Sequence, residues 1–191
     1  MFKDSIDALR SGEKNKVIKS IKQRDEKINQ YQRDIRKKVV TYYSISKDVR
    51  NIDSGLVLIN MVVDIERVGD YTKNILDLAK YYPKKLISEK ISDDLRIIEK
   101  AVIERFGNTV KAVQEMDESI ANELIKSYRS DLGKLSDNLV ASSISGVVLV
   151  GEEHKASSMV LYARYLKRIG AHLKNITSVV VNPFESIGYK K

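Results

Sequence analysis

The sequence predicts an all-α protein made of two tandem three-helix bundles, six helices in all. Two observations carry that prediction. Apolar residues recur at helical spacing along most of the chain, and only two prolines and nine glycines interrupt its 191 residues, so long helices are expected. The two halves also align on each other. At an offset of 104, Phe2 matches Phe106, Ala8 matches Ala112, Ile21 matches Ile125 and Ile28 matches Leu132, with Tyr31 on Leu135 and Ile35 on Leu139. Later in each half the offset falls to 101, so Arg67-Val68-Gly69 lies on Arg168-Ile169-Gly170 and Lys73-Asn74-Ile75 on Lys174-Asn175-Ile176. Residues 1–85 and 86–191 are the two repeats, and the first helix of the first is short.

The first helix is expected over 2–11, with Phe2, Ile6 and Leu9 on one side and Ser11-Gly12 as its stop. A second runs over about 13–45 on the stripe Val17, Ile18, Ile21, Ile28, Tyr31, Ile35 and Val39. Residues 46–53 read as a turn, with Asp53 or Ser54 as the cap of the third helix. That helix runs over about 54–81 and stops before Pro83. Residues 82–91 are the linker. Ser92-Asp93-Asp94 reads as a helix start, and the fourth helix continues to about 115 with Leu95, Ile98, Val102, Phe106 and Val113 inward. Asp117-Glu118-Ser119 opens a fifth, to about 144. The apolar run Val147-Val148-Leu149-Val150 has no strand to pair with and reads as a buried loop or a helix end. The sixth helix is expected over about 154–181, before Pro183.

Composition narrows the function classes. Without cysteine, disulfides and thiolate metal sites are excluded, and a reducing compartment fits. Met1-Phe2-Lys3-Asp4 leads straight into the amphipathic pattern with no signal-peptide character, and no apolar run approaches a membrane span. The net charge of +8 lies almost wholly in residues 1–90, where 20 Lys/Arg face 13 Asp/Glu. The excess gathers at Lys14, Lys16, Lys19, Lys22 and at Arg36-Lys37-Lys38. Such a surface suits anionic lipid or an acidic partner. Nucleic acid is disfavoured, because no stacking platform or nucleic-acid-binding signature accompanies the charge.

One stretch stands out: Asp64-Ile65-Glu66-Arg67-Val68-Gly69-Asp70-Tyr71-Thr72-Lys73-Asn74-Ile75. On a helix Glu66 and Asp70 are i and i+4, so both carboxylates leave one face. Either they point into water or a cation sits between them. Gly69 inside the pattern costs about 1 kcal/mol against alanine. Two local costs so close together suggest a site. Antiparallel packing of the second and third helices brings Asp25 beside Asp70 and Asn74. Asp64 faces away from Glu66. Lone histidines such as His172 and His154 read as surface residues.

The Glu66-Arg67-Val68-Gly69-Asp70 run with Asn74-Ile75 resembles the signature of the PhoU family of phosphate-uptake regulators. Arg24-Asp25-Glu26-Lys27-Ile28-Asn29 resembles that family's segment in its second helix. The resemblance covers nearly the whole chain and implies the same pair of three-helix repeats. It also implies that Glu66 and Asp70 help hold metal; Asp25, level with them on the second helix, is the third candidate ligand, unless it pairs with a neighbouring Lys or Arg. The cofactor would be a divalent or ferric ion: Fe, Zn, Mn, Mg or Ca. The second copy has Lys167 and Ala171 where the acids stood, and neither can ligate a hard cation.

The resemblance implies a non-enzymatic cytoplasmic regulator. Its partners would be a phosphate transporter component (an ABC-transporter ATPase or a carrier) and a sensor histidine kinase, with the inner membrane face and a second copy also in reach. The alternative is a cytosolic domain or accessory subunit of a sodium/phosphate transporter. A metal-dependent hydrolase is the weakest reading, since there is no histidine-rich ligand set, phosphate loop or nucleophile with its base.

Overall fold

The computed structural model describes residues 1–46, 49–82, 92–146 and 153–189. Among them every regular element is helical: α1 (Phe2–Ser11), α2 (Asn15–Gln23), α3 (Asp25–Ser46), α4 (Ile52–Tyr81), α5 (Ser92–Glu115), α6 (Glu118–Tyr128), a π-helical turn (Arg129–Gly133), α7 (Lys134–Ile144) and α8 (Glu153–Ser178), then a 3-10 turn at Phe184–Ser186. α2 and α3 form one bent rod, as do α6, the π turn and α7. Six helical segments result, three per repeat, as the alignment of the halves predicts. The linker at 83–91, the Val147–Val150 run and the His154 side chain lie outside the described residues.

Local chemistry sets most boundaries. Gly12 ends α1 in the left-handed conformation at φ 69°, its N–H bonded to the Ala8 carbonyl at 3.2 Å. Asp117 caps α6 by accepting the Ile120 N–H at 3.0 Å. α4 begins at Ile52, ahead of the expected caps, and places Asp53 in its first turn, where the helix dipole favours an acid. α8 ends at Ser178 instead of 181. The N–H groups of Val179, Val180 and Val181 each reach back three residues, which tightens the helix into a closing turn.

The two bent rods break at equivalent positions. Arg24 tightens the first, its N–H bonded to the Ile21 carbonyl at 3.2 Å. The π turn that widens the second starts at Arg129, one residue beyond the position the 104 offset assigns to Arg24. Buried Arg105 covers that turn, donating to the Leu124 carbonyl and, at 3.0 Å, to Ser127 Oγ.

The broadest helix pairing joins α4 to α8, one from each repeat. A pseudo-two-fold axis runs through it. Phe2 stacks on its own equivalent Phe106 at 5.7 Å, and Tyr71 on its equivalent His172 at 5.7 Å. The contact of Asp64 with His172 at 2.7 Å maps onto that of Tyr165 with Tyr71 at 6.2 Å. One continuous core spans both repeats, including Leu9, Ile18, Ile75, Leu76, Ile98, Leu132, Leu166 and Ile169.

Gly69 and Gly170 sit where α4 and α8 meet the bent rods. A Cβ on Gly69 would lie 3.0 Å from Asp25 Oδ1 and 3.3 Å from Ile28 Cδ1; one on Gly170 would collide with buried Leu132. The glycine in the motif is thus explained by helix packing. Gly107, in contrast, has nothing within 4 Å of a built Cβ. Gly107→Ala is therefore expected to stabilise by about 0.5–1 kcal/mol. Gly170→Ala is expected to destabilise, because overpacking at about 1–3 kcal/mol exceeds the gain in helix propensity. Paired urea denaturation curves check both, and equal shifts of the two midpoints would contradict the packing account.

Candidate functional site

The three acids predicted from sequence do converge, where α3 crosses α4. What lies among them is an ammonium group. Lys73 Nζ is 2.6 Å from Asp25 Oδ2 and 2.9 Å from Asp70 Oδ1. Arg67 stands 3.1 Å from Asp70 and 3.8 Å from Glu66. Asn29 Nδ2 adds a hydrogen bond of 3.0 Å to the oxygen of Asp25 that Lys73 uses. The cation between the acids is the protein's own, and it ties α3 to α4.

This corrects the expectation of a bound divalent or ferric ion. Among the described residues no group of three or more His, Asp or Glu is arranged to hold a metal. Asp25 and Asp70 each turn an oxygen to Lys73, whose positive charge stands where a metal would have to share both carboxylates. The other oxygen of Asp25, Oδ1, is buried without a hydrogen-bond partner and faces Gly69. Lys73 follows Asp70 by three residues, so this pairing was legible as a helical i, i+3 contact.

The electrostatics follow from that arrangement. Burial would lower the Lys73 pKa, but hydrogen bonds to Asp25 and Asp70 outweigh it and hold it above the usual lysine value. Burial likewise pushes Asp70 up, yet the bonds and charges of Lys73 and the charge of Arg67 bring it below an ordinary aspartate. Glu66 moves the other way: burial and the neighbouring Asp70 charge raise it.

The second repeat carries a clamp of inverted sign at the equivalent place. Arg129 stands where Asp25 does, Lys167 replaces Glu66, and Asp137 replaces Arg33. Lys167 Nζ meets Asp137 at 2.5 Å, with Arg129 at 3.4 Å and Arg164 at 3.6 Å. The hydrogen bond from Lys167, aided by the charges of Lys167, Arg129 and Arg164, holds Asp137 below the usual carboxylate range against the opposing effect of burial.

Other polar residues join the two repeats and were not singled out from sequence. Asp64 Oδ1 meets His172 Nδ1 at 2.7 Å and accepts from Asn175 Nδ2 at 3.2 Å. The face that turns Asp64 away from Glu66 is the seam between repeats, and His172 is a packed seam residue. Buried Glu99 accepts from the Tyr162 hydroxyl at 2.6 Å and from Arg10 Nε at 3.2 Å, joining α5 to α8 and α1. Burial, followed by the Glu99 charge, pushes the Tyr162 phenol well up. The only sequence signal for these contacts is the repeat itself, which pairs Asp64 with Tyr165 and Tyr71 with His172.

Lys73→Met leaves Asp25, 6% exposed, without its counter-ion. A loss of about 2 kcal/mol is expected, below the ~3–5 kcal/mol of a fully buried pair because Lys73 is partly exposed. Chemical denaturation of the variant measures it, and an unchanged midpoint would contradict the clamp. Glu66→Gln tests the sign of the electrostatics. A carboxyl raised on folding contributes stability below its unfolded pKa and loses it as pH rises through the folded value. The variant is therefore expected to gain about 0.2–0.5 kcal/mol at pH 7 and nothing below pH 4. Melting temperatures across that range read the difference.

Residues 1–79 match the family model described as the PhoU domain. The fold is similar to that of the crystal structure of PhoU from Pseudomonas aeruginosa, with a TM-score of 0.79 over 94% of this chain and 86% of that one, at 19% identity. No curated protein sequence matches the chain. The first 79 residues thus match the PhoU domain model, and the chain as a whole carries a fold similar to that PhoU structure.

Proposed function

We propose that the chain is a non-enzymatic regulator of phosphate uptake and phosphate signalling that acts by direct contact with a phosphate transporter component. The match of residues 1–79 to the PhoU domain carries this reading. Regulation by contact needs helix faces held in fixed relation, and the α4–α8 seam with its polar ties supplies them. The acids of the motif serve that rigidity, since Asp25 and Asp70 clamp α3 to α4 through Lys73.

The work is done in the cytoplasm, at the inner face of the membrane, and a sensor histidine kinase is a second target. Exposed Arg36, Lys37 and Lys38 on α3 favour an acidic or membrane-proximal surface. No helix among the described residues is long and apolar enough to cross a membrane.

Deleting the gene is expected to raise labelled-phosphate uptake several-fold in phosphate-rich medium, with restoration on re-expression. Uptake and phosphate-responsive transcription both unchanged by deletion would overturn the reading.

A further inference from the structure

The internal repeat makes each half a control for the other, and one outward face reverses its charge between them. α2 and α6 are the first limbs of the two bent rods. Counted from their cap residues, Lys14 and Asp117, the inward Ile18 and Ile21 of α2 fall on Ala121 and Leu124 of α6, and all four are buried. The packing is therefore shared. The opposite sides are exposed in both helices, but α2 turns Lys16 and Lys19 to solvent where α6 turns Ser119 and Asn122. From the cap onward, residues 14–23 hold four lysines and no acid, whereas residues 117–126 hold three acids and one lysine.

The fold does not require those lysines. Positive charge at a helix start opposes the helix dipole. Lys14 makes no side-chain cap bond, whereas Asp117 in the equivalent place accepts the Ile120 N–H. Nor are the lysines held in ion pairs. Lys22 meets Asp77 at 2.6 Å, but Lys14, Lys16 and Lys19 have no carboxylate partner among the described residues.

The surroundings extend the charge. Lys22 lies on Asp77 and Asp25 on Lys73, so this rod runs antiparallel to α4 and Lys19 comes level with Lys80. The Lys80 ammonium stands 5.1 Å from the Tyr81 ring, and Tyr81 is 76% exposed. Of the nearby acids, Asp77 is held by Lys22, Asp4 by Arg24 and the N-terminus, and Glu13 accepts from Ser11 at 3.3 Å.

The choice of lysine narrows the occupant. Protein interfaces are depleted in lysine and enriched in arginine. Lysine carries a hydrated point charge on a flexible stem and needs no partner of matched geometry. A sheet of anionic headgroups suits such a face, because it attracts every lysine near it without fixing any one of them. An exposed tyrosine suits the headgroup level.

We propose that α2 docks the protein on an anionic lipid bilayer, with Lys14, Lys16, Lys19 and Lys80 against the headgroups and Tyr81 at the interface. This names the face that meets the membrane, and it rests on the membrane placement proposed above for its setting. Vesicle binding and phosphate uptake are read separately, so either reading can fail without the other.

The test sediments the full chain with phosphatidylcholine vesicles that contain or lack phosphatidylglycerol. Binding is expected to require phosphatidylglycerol and to weaken as salt rises. Lys14→Gln, Lys16→Gln and Lys19→Gln together are expected to lower the partition coefficient at least tenfold. The thermal melt of that variant is expected to be unchanged or raised, since the charges removed oppose the helix dipole. Arg36→Gln, Lys37→Gln and Lys38→Gln on α3 are expected to have the smaller effect. The chain has no cysteine, so single fluorescent labels can be placed. A label at Ser20→Cys on α2 is expected to shift to the blue on vesicle binding, and one at Asn122→Cys on α6 to stay unmoved. No binding to anionic vesicles, an unchanged partition coefficient in the α2 variant, a larger loss from the α3 variant, or equal response of the two labels would overturn the proposal. So would polyglutamate that binds the chain more tightly than the vesicles do, because an acidic protein would then be the better occupant.

Discussion

Everything in this molecule is referred to the seam of α4 on α8. These are the third helices of the two repeats, and each is also the floor on which its own bundle packs. The seam is largely apolar, and its specificity comes from a few polar ties. A carboxylate drawn partly out of water is costly unless it is bonded, so the contact of half-buried Asp64 with His172 and Asn175 favours one register of the two helices. Glu99 acts similarly from α5, reaching both Arg10 of α1 and Tyr162 of α8. With the seam fixed, every other helix has one remaining place to go.

Each bundle is then closed by a bent rod lying against a glycine. Gly69 and Gly170 let the rod approach until Ile28 and Leu132 touch helix backbone. At that crossing the charges differ between repeats, yet the outcome is the same. Asp25 and Asp70 share Lys73 in the first; Lys167, Arg129 and Arg164 share Asp137 in the second. Either sign can be central, provided the charge at the centre is matched by its neighbours. A requirement for opposite charges, met twice with opposite polarity, marks the crossing as an electrostatic lock. It explains how the second copy tolerates losing both acids while keeping its arginine, glycine and asparagine.

The helices were legible because their apolar residues repeat at helical spacing and because glycine, proline and capping aspartate punctuate them. The pairing of the repeats was legible from Phe2 on Phe106 and Gly69 on Gly170. The three acids were correctly brought together, since antiparallel helices joined by a short turn leave little choice of level. Their purpose was misread, because the spacing of Glu66 and Asp70 signals a cation without saying which. Lys73, on the same helix face, already supplied it. The seam contacts were illegible, since Asp64 and His172 are 108 residues apart and neither is unusual in its own helix. The apolar stripe expected on the second helix is only partly inward, and Tyr31 on it is 54% exposed.

The exposure of α3 has an energetic consequence. Beyond Asp25, α3 has no fully buried residue among those described, and a helix so placed relies on propensity and on the single clamp at its base. Its far end should therefore open at lower free energy than the seam does, while the seam stays intact. The clamp of Lys73 on Asp25 is thus what holds α3 to α4 at the base of the rod, and the helix depends more on its own hydrogen bonds the further it runs from that point.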